Sequence, residues 1–173
     1  HDVGDKPVFG ITGTNGKTSV THIIHHILKE VPINCGTLGT LGFQTPSGIL
    51  STGFTTPESV ELQQMLNTLL KAGVKDVVME ISSHALNLHR VEDVNVNIAV
   101  FSNLTPEHLD FHSDMESYFQ SKLKLFSKLS KKNTAIINLD DPYAKRIIAA
   151  TSANIMTYGM DQHADLYPLH TEF

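Results

Sequence analysis

A short apolar strand that breaks on a glycine turn and passes straight into an amphipathic helix restricts the available folds more sharply than any composition. Here Pro7 to Thr12 is the apolar run and Gly13-Thr14-Asn15-Gly16 is the turn. From Lys17 to Glu30, Val20, Ile23, Ile24, Ile27 and Leu28 recur at helical spacing until Pro32 stops the helix. In such a turn the glycines let the backbone fold around an anion, so that successive N–H groups and the positive helix N-terminus face phosphate. Lys17 adds a point charge and Thr18 a hydroxyl suited to magnesium. Gly13, Thr14, Asn15, Gly16, Lys17, Thr18 and Ser19 are therefore the candidate nucleotide-binding residues. The common phosphate-loop pattern asks for glycine five places before Gly16; Ile11 stands there, flanked by Gly10 and Gly13. The alternative is a glycine-rich strand–helix turn with a chance Gly-Lys-Thr, and the flanking elements favour phosphate.

The rest of the chain repeats the alternation. Ile33 to Leu41 reads as a strand, and Gly42 to Thr56 has the Gly, Pro, Ser and Thr content of a long loop. A helix starts at Thr56-Pro57-Glu58 and ends at Gly73, with Leu62, Met65, Leu66, Leu69 and Leu70 on one face. Strands follow at Asp76 to Ile81, Val96 to Phe101, Thr134 to Leu139 and Asn154 to Tyr158, and helices at Met115 to Leu129 and Pro142 to Ala150. Strands and helices alternating at short intervals predict a doubly wound α/β fold with a mostly parallel sheet. A length of 173 residues suits one domain. The formal charge of −5 supplies no basic field, so no nucleic-acid partner is expected. No apolar run is long enough to cross a bilayer or act as a secretion signal, and the single Cys35 forms no internal disulfide. A soluble, reducing compartment fits, with no membrane partner.

In an open α/β sheet ligands bind outside the carboxyl ends of the strands. Glu80 lies there, at the end of Val77-Val78-Met79, as a candidate magnesium ligand or a helix cap. His108 and Asp110 follow the next strand and share that edge. Lys122 is unusual: its neighbours three and four places away are Tyr118, Phe119, Leu125 and Phe126, whereas those of Lys124 are Gln120, Ser121, Ser127 and Lys128. Lys122 is therefore predicted to point at protein and Lys124 at solvent. Burial would lower the pKa and expose a neutral, nucleophilic amine; the alternative is a snorkelling lysine that covers apolar surface with its stem. His22, His25 and His26 share one helical face without a third metal ligand, and read as a solvent-facing cluster. Cys35 reads as a small buried hydrophobe.

Gly13-Thr14-Asn15-Gly16-Lys17-Thr18, Phe54-Thr55-Thr56-Pro57-Glu58, Met79-Glu80-Ile81-Ser82-Ser83-His84-Ala85-Leu86, Asn103-Leu104-Thr105-Pro106-Glu107-His108-Leu109-Asp110 and Ser121-Lys122 occur in this order. Together, from about Pro7 to Tyr158, they resemble the central ATP-binding domain of the Mur ligases. The likeness is strongest to the branch that extends UDP-N-acetylmuramoyl-L-alanyl-D-glutamate. The resemblance implies that ATP phosphorylates the D-glutamate γ-carboxylate and that a diamino acid, meso-diaminopimelate or L-lysine, attacks the acyl-phosphate in peptidoglycan precursor synthesis in the cytoplasm. It implies Lys17, Glu80, His108 and Lys122 as catalytic residues, with Lys17 on the β/γ-phosphates. Magnesium would be served by Thr18, Glu80, His108 and a carbamate on Lys122. Thr55, Thr56, Ser83 and Arg90 would contact the UDP-sugar-dipeptide, and Asn138 would approach the adenine.

Two positions depart from the family pattern: Phe54 replaces a common asparagine, and Leu88 stands where some members have glutamine. The resemblance also makes residues 1–173 the middle of a three-domain ligase, with the UDP-gripping N-terminal domain and the C-terminal domain absent. His1-Asp2-Val3 and Phe173 then read as cut points, and the isolated chain is expected not to complete the reaction. Folylpolyglutamate synthase shares the phosphate-loop variant and is the nearest alternative. A non-catalytic P-loop module is the alternative from another class.

Overall fold

The computed structural model describes residues 7–45, 48–50 and 55–170. In chain order the elements are β1 (Val8–Thr12), α1 (Lys17–Lys29), β2 (Cys35–Gly39), β3 (Gly42–Thr45), β4 (Gly48–Leu50), α2 (Ser59–Lys71) and β5 (Asp76–Glu80). There follow α3 (Ser83–Asn87), β6 (Ile98–Phe101), α4 (Met115–Ser127), β7 (Thr134–Asn138), α5 (Ala144–Ala150) and β8 (Asn154–Tyr158). Among the described residues the strands form one sheet in the order β4-β3-β2-β5-β1-β6-β7-β8. Every pair from β2 to β8 is parallel, and only β2–β3 and β3–β4 are antiparallel. The expected doubly wound, mostly parallel sheet is therefore present, with an antiparallel hairpin on one edge.

The central strands are apolar on both faces because helices cover both. Ile11, Cys35, Val78 and Val100 meet Val20, Ile24 and Leu28 of α1 on one face. On the other, Leu38, Met79, Phe101 and Ile137 join Leu62, Leu66 and Leu69 of α2 with Phe119, Leu125 and Phe126 of α4. β1 lies between β5 and β6, so the turn after it opens at the carboxyl edge, flanked by the ends of β5 and β6. This is the strand-end crevice in which open α/β sheets hold ligands.

Several expectations need correction. The span expected as a loop from Gly42 to Thr56 contains β3 and β4, while residues 46–47 and 51–54 lie outside the described residues; the Gly, Pro, Ser and Thr content of the span reads as a loop, and edge pairing with β2 overrides it. The short α3, capped where Ala85 N–H donates to Ser82 Oγ, was not expected, because five residues are too few for a helical period to show. Ile23 and Ile27 do not join the core; they are about three-fifths exposed. His25, expected at the surface, is buried at 4% exposure, while His26 is exposed and His22 half-buried. α1 turns the Thr21 and His25 stripe toward the sheet, and the tertiary rotation of a helix is not fixed by a count of apolar residues. Lys124, expected in solvent, is half-buried. Cys35 is the buried small side chain expected, and burial pushes its thiol up to about 12. Phe54 lies outside the described residues, and Leu88 is half exposed at the end of α3.

Candidate active site

The loop after β1 is held from behind by the segment after β6. Thr14 N–H donates to the Asn103 carbonyl at 2.8 Å and Asn15 N–H to Asn103 Oδ1 at 2.9 Å. Ser102 Oγ donates to the Asn15 carbonyl at 2.7 Å. Thr14 Oγ1 accepts the Thr105 N–H at 3.0 Å and shares a 3.1 Å hydrogen bond with the Tyr118 hydroxyl. Gly16 caps α1 with φ +86°, a left-handed conformation in which a side chain would be strained. No side chain caps this helix end and no acid lies in its first turn, so its free N–H groups and positive dipole end face the crevice. Ser19 is exposed on that first turn.

Two lysines converge on one carbonyl. Lys17 Nζ donates to the carbonyls of Gly13 at 3.0 Å and Thr14 at 2.7 Å. Lys122 Nζ also donates to Gly13 O, at 2.9 Å, and lies 4.5 Å from the Tyr118 ring centroid. The side chain of Lys122 is 1% exposed, as its helical neighbours predicted. Desolvation first, then the Lys17 charge, lowers its pKa to about 7, with Glu107 acting in the opposite sense. Lys17 is also lowered, chiefly by desolvation, against the pull of Glu107 and Glu80. A half-buried lysine, Lys17, and a buried one, Lys122, sharing one acceptor make a site that favours an anion.

Glu80, 1% exposed, stands at the end of β5 with three donors on its carboxylate. Thr18 Oγ1 donates to Oε2 at 3.0 Å, Thr40 N–H to Oε1 at 2.9 Å and Thr40 Oγ1 to Oε2 at 3.1 Å. Thr56 Oγ1 donates to the Glu80 carbonyl at 3.0 Å and accepts Ser82 N–H at 3.2 Å. Thr40 joins no sequence-level motif, and only the β2–β3 turn brings it here. The Thr18–Glu80 pair offers hard oxygen ligands of the kind magnesium takes. Among the described residues no three His, Cys, Asp or Glu side chains gather as a metal cage.

A cavity of about 210 Å³ brings together Lys17, Thr55, Thr56, Ser83, Arg90, His108 and Lys122, with Ser82, His84 and Tyr118 completing its wall. His108 carries φ +56°, a strained backbone for a non-glycine, and its ring meets that of His84 edge-on at 4.9 Å. His84 is lowered in pKa by desolvation first and then by His108, so a neutral imidazole is favoured. The Ser83 hydroxyl is hydrogen-bonded at 3.0 Å to Nε2 of His112, a buried residue the sequence did not single out. Arg90 pairs with Glu58 and donates to the Thr56 carbonyl at 3.3 Å, leaving its buried Nε without a partner. Asn138 is not in this cavity. Its amide donates to the Ser102 carbonyl at 2.8 Å, and it lines a separate groove of about 450 Å³ with Asp140, Tyr158, Met160 and Tyr167.

The Mur ligase middle domain family matches residues 11–172. A UDP-N-acetylmuramoyl-L-alanyl-D-glutamate–2,6-diaminopimelate ligase of Caldanaerobacter subterraneus is 45% identical over 157 residues, which cover 91% of this chain and 32% of that protein. A solved structure of a ligase with the same name superposes with TM-score 0.84 at 32% identity, over 94% of this chain and 34% of its own. A bifunctional folylpolyglutamate/dihydrofolate synthase of Yersinia pestis superposes with TM-score 0.67 at 18% identity, over 88% of this chain and 43% of its own, a likeness of fold alone. The chain spans about a third of the length of the curated relatives it matches. With a family match over nearly the whole chain, these strand-end residues sit in a member of the Mur ligase middle domain family.

Proposed function

We propose that this chain is the central ATP-binding domain of a three-domain ligase working in the cytoplasm on peptidoglycan precursors. The complete enzyme adds meso-diaminopimelate or L-lysine to UDP-N-acetylmuramoyl-L-alanyl-D-glutamate through an acyl-phosphate. The observation that carries the reading is the convergence of the cations Lys17 and Arg90 with His108 and the buried Lys122 on one cavity beside the Thr18–Glu80 pair. Phosphoryl transfer between two anions needs positioned cations more than a covalent group from the protein.

In this reading the N–H groups of Gly13 to Thr18 cradle the phosphates, and Lys17 exchanges its carbonyl partners for β/γ-phosphate oxygens. Thr18, Glu80 and His108 would hold magnesium, which when bound neutralises charge building on the transferred phosphoryl group. Lys122, whose burial lowers its pKa to about 7 and so makes the neutral amine accessible, is the position for a carbamate: its nitrogen bonds to the carbon of carbon dioxide and loses a proton, leaving an anion for the metal site. Thr55, Thr56, Ser83 and Arg90 orient the UDP-sugar-dipeptide, and the Asn138 groove takes the adenine. Folylpolyglutamate synthase remains the second reading because it shares this fold.

Calorimetry on the complete ligase tests the assignment. Lys17→Ala should abolish ATP binding, and the wild type should bind the UDP-sugar-dipeptide but not a folate. Unchanged ATP affinity in the variant, or preference for folate, refutes it.

A further inference from the structure

The hydroxyl of Thr40 touches two partners at once, Glu80 Oε2 at 3.1 Å and Thr55 Oγ1 at 3.0 Å. A hydroxyl has one proton, and an ionised carboxylate only accepts. With the Thr40 proton committed to Glu80, the Thr40 oxygen can only accept from Thr55, so Thr55 O–H donates inward. We infer that Thr40 is a positioning residue which polarises a one-way chain, Thr55 to Thr40 to Glu80, and that this chain makes Thr55 a hydrogen-bond acceptor toward whatever occupies the cavity.

This deepens the function proposed above and rests on it. Thr55 lines the cavity, and with its proton turned inward it presents only lone pairs there. It therefore selects a donor on the acceptor substrate, an amide N–H or a sugar hydroxyl, and disfavours a carboxylate or phosphate oxygen at that spot. The anionic groups are left to Lys17 and Arg90, which line the same cavity. At the inner end, three donors occupy most of the roughly four lone-pair sites of the Glu80 carboxylate and fix its plane. Hydrogen bonds in series polarise one another, so a donor arriving on Thr55 strengthens the contact on Glu80, and the acceptor side and the carboxylate are coupled through one hydroxyl.

The test is a double-mutant cycle in the complete ligase, with binding of UDP-N-acetylmuramoyl-L-alanyl-D-glutamate measured by calorimetry without magnesium. Thr40→Val removes the hydroxyl but keeps the backbone N–H on Glu80, and should weaken binding about fivefold, the worth of one ordinary hydrogen bond. Thr40→Ser should bind within about twofold of wild type, because the chain is intact. In a Thr55→Val background the Thr40→Val change should cost less than about twofold, since a residue acting through Thr55 has nothing left to act on. An equal penalty in both backgrounds, or none in either, overturns the inference while leaving the reading of the cavity in place. If wild type itself does not bind the nucleotide-sugar-dipeptide, the reading and the inference fall together. Unchanged melting temperatures identify the folded variants, and should valine prevent folding, Thr40→Ala takes its place in both backgrounds with the same expected penalties.

Discussion

Replacing Lys122 by methionine tests whether an amine is held in the core against its solvation. The stem length is kept, the charge is removed, and the Gly13 carbonyl retains the Lys17 donor at 3.0 Å, so no buried acceptor is orphaned. The folded amine titrates near 7 against an ordinary 10.5, desolvation being the main cause and the Lys17 charge the second. At about 1.4 kcal/mol per tenfold change in equilibrium, keeping the ammonium form buried costs about 5 kcal/mol below pH 7. The unfolded amine keeps its proton up to 10.5 while the folded one sheds it near 7. Between those values the unfolded chain binds more protons, so Lys122 makes wild-type stability rise with pH. Lys122→Met should remove that rise. Against it stands the lost hydrogen bond to Gly13, worth about 1 kcal/mol.

The variant should therefore be more stable than wild type at pH 6 by about 4 kcal/mol, and the gap should close by about pH 10. Urea unfolding from pH 6 to 10 in buffers free of carbon dioxide measures it; titrating groups remote from Lys122 cancel between the two chains, while His84 and His112, each lowered in small part by the Lys122 charge, add a minor difference at the acid end. Parallel pH profiles, or a variant weaker at pH 6 than at pH 9 relative to wild type, would refute the buried-amine argument.

Gly39→Ala would set a Cβ 2.2 Å from Glu80 Oε1 and 2.8 Å from its Cγ, too close for the carboxylate to stay. A loss of about 1–3 kcal/mol in thermal or urea unfolding is expected, together with weakened magnesium dependence of turnover in the complete ligase; wild-type behaviour in both would show that Glu80 tolerates displacement. His25→Leu removes a buried ring whose Nε2 has no hydrogen-bond partner and whose pKa is lowered, first by desolvation and then by Lys29. Since the folded ring resists the proton that the unfolded one accepts, the leucine variant should gain on wild type as pH falls from 7 to 5, and a constant difference in unfolding free energy over that range would refute it.

Local chemistry was enough for much of this protein. The Gly13–Thr18 turn between an apolar run and an amphipathic helix, the strand–helix alternation and the aromatic neighbours of Lys122 each depend on spacing within one element. The phosphate loop, the parallel sheet and a lysine turned inward were therefore legible in residue order. The strand-end position of Glu80 was legible for the same reason, since a strand's direction and its last residue are local properties.

What sequence could not decide is which side chains meet across elements. Thr40 holds Glu80 because β2 and β5 are parallel neighbours, so that their carboxyl ends lie side by side with Gly39 leaving space for the carboxylate. His112 reaches Ser83 from a position 29 residues away. His25 is buried and Ile23 exposed because packing α1 against β2, β5 and β1 sets the rotation of that helix. Asn138 lies in a groove apart from the lysine cavity because its strand stands beyond β6 from β1. Periodicity determines the stripe a helix can offer and the face a strand can bury. The register between strands and the turn of a helix upon them are settled only when the whole core closes, and those choices made a set of candidate residues into a site.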